Sequence, residues 1–61
     1  MAYKINQLNG LAWHNAITNV IKRLNKTHKI LTFQNDWEYA QEIALEFALV
    51  FNENGTYLGM N

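Results

Sequence analysis

Between Asn9 and Lys26, apolar residues return at intervals of three and four: Trp13, Ala16, Ile17, Val20, Ile21 and Leu24. That spacing is the period of an α-helix with one buried stripe, whereas a strand alternates every two residues. His14, Asn15, Thr18, Asn19, Lys22 and Arg23 fall on the other face. Asn9 suits an N-cap. Lys22, Arg23 and Lys26 crowd the last turns, where cations meet the negative end of the helix dipole. A helix over about 9–26 is the point from which the rest of the chain is read.

A second helical period runs through "QNDWEYAQEIALEFALVF". Trp37, Ala40, Ala44, Phe47, Ala48 and Phe51 share one stripe, widened by Ile43 and Val50. Asn35 is a good N-cap, and Glu38 three residues on approximates a capping box. Asp36 and Glu38 suit the positive end of the dipole. The C-terminal end is ambiguous. Asn54-Gly55 between apolar flanks is a hairpin signal, which would turn 47–52 into a strand. Alternatively "NENG" only stops the helix, with Gly55 supplying a positive φ. Helix-favouring residues through "EIALEFALV" tilt the prediction to a helix over 36–51.

Three short segments are extended or strand-like: 2–5 ("AYKI"), 29–33 ("KILTF") and 56–60 ("TYLGM"). With two helices they predict a single small α+β domain over 1–61, mainly helical. The alternative is an all-α helical hairpin that dimerises. Sixty-one residues bury a small core, which rarely supplies more than roughly 3–5 kcal/mol. No cysteine is present to staple it by a disulfide or thiolate metal site, and two histidines do not make a zinc site. Self-association is the staple that remains, so a homo-oligomer or an obligate protein partner is expected.

The net charge of zero hides a segregated chain. All the bases (Lys4, Lys22, Arg23, Lys26, Lys29) precede residue 30. All the acids (Asp36, Glu38, Glu42, Glu46, Glu53) follow residue 35. Glu38, Glu42 and Glu46 are spaced i, i+4, i+8 and form one row on the second helix. Like charges at that spacing repel by a few tenths of a kcal/mol, roughly 0.2–0.5 per pair. The simplest account is intramolecular: antiparallel helices would bring Lys22, Arg23 and Lys26 beside Asp36, Glu38 or Glu42. Such exposed pairs are worth only about 0–1 kcal/mol each. The functional account makes the row a docking face. Its carboxylates repeat about every 6 Å along the axis, comparable with phosphate spacing on one nucleic-acid strand.

The expected function is therefore a non-enzymatic protein-binding module, with Asp36, Glu38, Tyr39, Glu42 and Glu46 as its face. It would inhibit or regulate a larger protein, such as a nucleic-acid-binding one, by covering its surface. Small phage or mobile-element proteins that block host factors are the fitting class. A first alternative is a homodimeric nucleic-acid-associated regulator using Lys22, Arg23, Lys26 and Lys29. Direct nucleic-acid binding is disfavoured by the neutral charge, because such domains usually carry a basic excess. A second alternative is a structural subunit of a larger assembly.

Enzymatic chemistry finds little footing. The chain has no serine and no cysteine nucleophile. Gly10, Gly55 and Gly59 form neither a P-loop nor a dinucleotide fingerprint. His14 reads as a boundary residue, and His28 lies among lysines without a matched acid. Glu42 and Glu46 lack the histidine at i+3 of a di-metal bundle site. No cofactor is expected. Tyr3, Tyr39 and Tyr57 are interface candidates, since tyrosine is enriched at binding hot spots. No apolar run approaches the ~20 residues of a membrane span. With no secretory pattern at the N-terminus, the expected setting is cytoplasmic.

Overall fold

The computed structural model of the protein describes residues 1–27 and 30–60. It is α+β and mainly helical. In chain order the elements are β1 (Tyr3–Lys4), a 3-10 turn (Ile5–Gln7), α1 (Gly10–Asn25), α2 (Phe33–Glu46), β2 (Leu49–Phe51) and β3 (Tyr57–Met60). The strands form one antiparallel sheet in the order β1-β2-β3. The extended segments read at 2–5 and 56–60 are thus its two edges, and the helical-hairpin alternative does not hold.

β2 shows why a strand wins over a fifth helical turn. Leu49 and Phe51 are buried toward the helices, and Val50 between them is only half-buried. Phe51 pairs with both Tyr3 and Tyr57, so β2 gives two otherwise unpaired strands their partner. The second helix therefore ends at Glu46 and not at 51. Phe47 caps it, and Ala48 turns left-handed with φ 53°. The Ala48 N–H donates to the Leu45 carbonyl at 3.2 Å, a bond of the kind that closes helix ends. A glycine is the usual residue there, so no sequence signal marks the break.

The start of α2 also differs from expectation. Thr32, not Asn35, is the N-cap: its hydroxyl accepts from the Asn35 N–H at 3.3 Å. Asp36 Oδ2 in turn accepts from the Thr32 N–H at 2.9 Å. This reciprocal cap starts the helix at Phe33 instead of 36. It also removes the strand considered over 29–33. Lys29 lies outside the described residues, residues 30–32 belong to no strand, and Phe33 is helical. Leu31 is held by Asn25, whose Oδ1 accepts from its N–H at 2.8 Å. α1 follows its prediction closely, with Asn9 in the N-cap position but no bond from its side chain.

The core sits between sheet and helices. Ala16, Ile17, Val20 and Ile21 come from α1, Ala40 and Ala44 from α2, Ile5 from the 3-10 turn, and Leu49 and Phe51 from β2. Each large side chain fully buried contributes about 1.5–3 kcal/mol. Trp13 extends the core toward the start of α2. Its ring meets Phe33 and Trp37 edge-on at 5.7 and 5.5 Å, and its Nε1–H donates to Gln41 Oε1 at 2.8 Å. The surface of 4295 Å² and Cα radius of gyration of 10.4 Å match the roughly 4,100 Å² and 10.5 Å that scaling gives for a monomer of this size. One copy reaches ordinary compactness without a staple.

The turn from β2 to β3 is fastened to α1. Asn52 Oδ1 accepts from the N–H groups of Asn54 and Thr56 at 2.9 and 3.0 Å. Asn15 and Asn19 donate through Nδ2 to the carbonyls of Asn54 and Gly55, each at 3.0 Å. Gly55, at φ 85°, lies so close to α1 that a Cβ there would overlap the Ala12 carbonyl oxygen. Only glycine allows that conformation and that approach together.

Candidate partner-binding surfaces

α2 points its buried side, Ala40 and Ala44, at the core. The helical period then carries Glu38, Glu42 and Glu46 to the opposite side, and all of them are exposed. Tyr39 and Leu45 are exposed on the same outward side, at 41% and 39%. The result is a row of carboxylates flanked by Leu45 on one side and Tyr39 on the other. Asp36, expected in this face, stands apart. It is half-buried, and its carboxylate serves the Thr32 cap.

The intramolecular account of the charge layout does not hold. Trp13, near the start of α1, touches the first half of α2. Val20, Arg23 and Leu24, near the end of α1, share a groove with Ile43 and Phe47 at the end of α2. The helices thus cross: Asn25, the last residue of α1, bonds Leu31 just ahead of α2, yet Lys22, Arg23 and Lys26 are not paired with Asp36 or Glu38. Arg23 instead places its guanidinium over the Tyr57 ring, 4.0 Å from the centroid, a cation–π contact. Lys22 and Lys26 are exposed, and Lys29 lies outside the described residues. Among the described residues no lysine or arginine nitrogen lies within 4.0 Å of a carboxylate oxygen.

The acidic row is thus uncompensated within the described residues. Its members repel one another, and Glu46 sits in the last turn of α2, at the negative end of the dipole, with no basic residue there. Each effect costs a few tenths of a kcal/mol, about 0.3–1 in the dipole's case.

A second surface was not foreseen from sequence. Where α1, α2 and β3 end, they leave an open groove of about 240 Å³. Val20, Leu24, Ile43 and Leu49 form its floor, with Phe47 and Met60 at its mouth. Phe47 was predicted as a stripe residue, yet it is 55% exposed because the helix stops one residue before it. Tyr57, an interface candidate, lines the groove beneath Arg23. Tyr3 is half-buried on β1. Four separate elements, α1, α2, β2 and β3, make this groove, so no local pattern announces it.

Among the described residues, no three His, Cys, Asp or Glu side chains gather where they would hold a metal ion. No described helix is long and apolar enough to cross a membrane. Compared with protein-family models, with curated proteins and with solved structures, the chain has no match.

Proposed function

We propose that this protein is a non-enzymatic binding module that docks the outer face of α2 onto a basic surface of a larger protein. Glu38, Glu42 and Glu46 supply the charge, and Leu45 and Tyr39 supply apolar contact on either flank of the row. The observation that carries this reading is the uncompensated row. Three carboxylates are held on one exposed line, at a cost in helix stability, with no described cation paired to them. A local rule broken without an internal gain is characteristic of a functional surface. A basic surface that normally receives nucleic acid is the complementary target, because the row mimics a line of phosphates. Covering it would inhibit or regulate that factor, in the cytoplasm of a cell carrying a phage or mobile element.

Complementary charge acts mainly on encounter rate and partner choice. The test compares the wild-type chain with the E38Q/E42Q/E46Q variant as bait, followed by binding to the purified captured factor at graded salt. The expected result is capture of a basic protein by the wild type alone. Affinity should fall about tenfold or more in the variant, with a flatter salt dependence. Displacement of that factor's nucleic acid should follow the same order. Capture retained in full by the variant would reduce the row to solvated surface. Tight, salt-sensitive binding of DNA or RNA by the chain itself would favour the basic cluster instead.

A further inference from the structure

The glutamate row and the groove at the open end belong to one continuous surface. Residues three apart on a helix are neighbours on its outside. Tyr39 therefore stands beside Glu42, and Ile43 beside Glu46. Ile43 is also part of the groove floor, and Phe47, four residues on, stands at the mouth. Positions four apart advance by about 40° round the helix axis. The row thus turns toward the groove along α2 and ends with Glu46 at the α2 lip. The α1 lip carries the opposite charge. Arg23 lines the groove there, its guanidinium laid on the Tyr57 ring and paired with no carboxylate among the described residues.

Between the lips the lining is apolar: Val20, Leu24, Ile43 and Leu49. A polar group entering there would lose its water and gain no bond. The groove measures about 240 Å³, whereas an engineered cavity of like lining takes up benzene at ~150 Å³. It has room for a large apolar side chain. The two lips say how the segment bearing that side chain must lie. Cations are drawn to Glu42 and Glu46 on the α2 side and repelled by Arg23 on the α1 side.

We propose that the groove is an anchor pocket for the basic partner. It takes one large apolar side chain (Phe, Leu, Ile or Met) from a helix whose Lys or Arg stripe lies along Glu38, Glu42 and Glu46. The proposal rests on the docking of the outer face of α2 to a basic surface, and adds the element that the partner must present there. The anchor follows the last cation of the stripe by about one turn, on the flank facing α1. Positions that come over Arg23 are neutral or acidic. Binding energy concentrates on buried anchors, while the charges steer and select. Neither feature suffices alone, so a merely basic helix is passed over.

NMR titration of the chain with Ala-rich helical peptides tests this. One peptide carries three arginines at four-residue spacing and a Phe three residues past the last. A second has Ala in place of that Phe, and a third has Glu in place of the arginines. The Phe peptide should shift the Val20, Leu24, Ile43 and Leu49 resonances and bind at least about tenfold tighter than the Ala peptide. The Phe47→Ser variant should lose most of that advantage while holding the Ala peptide as before. The E38Q/E42Q/E46Q variant should bind both arginine peptides more weakly, and the third peptide should not bind. Equal affinity for the Phe and Ala peptides, both weakened in the glutamine variant, overturns the anchor pocket and leaves the docking face standing. Arginine peptides held equally by the wild type and the glutamine variant overturn the docking face, and the anchor pocket with it. Groove resonances that answer to octanoate and not to the Phe peptide would assign the groove to a small amphipathic anion held by Arg23. Groove resonances that move with protein concentration alone would assign it to a second copy of the chain. Either result overturns the proposal.

Discussion

At one end of the molecule the β2–β3 turn is tied to α1 by Asn15 and Asn19 and held from within by Asn52. At the other end α1, α2 and β3 stop without closing, and Phe47 and Met60 face solvent over an open groove. The contrast is one of residue size and bonding. A glycine and three asparagines let backbone meet backbone, each polar group finding a partner. At the open end bulky apolar side chains line a groove between the elements. The closed end specifies the fold, and the open end is left for contact with something else.

The sharpest way to break this comparison is Gly55→Ala. The methyl group would meet the Ala12 carbonyl in a left-handed residue, a loss of about 3 kcal/mol or more. That is most of what a core this small supplies, so the variant should be largely unfolded at 25 °C by circular dichroism. A cooperative melt like the wild type's would show that the turn does not rest on α1. Asn19→Ala is the milder probe of the same end. It removes donors to the Gly55 and Asn15 carbonyls and should cost about 1 kcal/mol in urea denaturation. Ala48→Gly sharpens the picture of the helix break. Relief of the left-handed alanine should stabilise the protein by about 0.5–1 kcal/mol, and a loss of stability would argue against that backbone conformation. Phe47→Ser at the open end should change stability by no more than about 0.5 kcal/mol. A large loss there would mean that the groove is closed in solution.

The parts of the fold legible in the sequence are those written in one period over a long run. α1 was readable from Trp13 to Leu24 because a single stripe persists, and the outward row of Glu38, Glu42 and Glu46 follows from the same arithmetic. The ends of α2 were not readable, for two different reasons. Thr32 and Asn35 are both good caps, and what separates them is Asp36 reaching back to Thr32 and Phe33 joining Trp13. At the other end "EFALVF" continues a helical pattern acceptably. The break at Ala48 is imposed from outside, by the pairing of Phe51 with Tyr3 and Tyr57. The hairpin signal in Asn54-Gly55 was correct, although the helical propensity upstream outweighed it.

Tyr3 pairs with Phe51, and the two are 48 positions apart (51 − 3). During synthesis β1 therefore emerges well before β2, its strand partner among the described residues, has been made. α1 and α2 can form as they appear, but the sheet assembles only after residue 51 has been released. Loop closure of that span must come before any ladder bond rewards it. A chain cut short before Phe51 would hold two helices and an unpaired end, exposed to proteases at the moment the finished protein becomes safe from them.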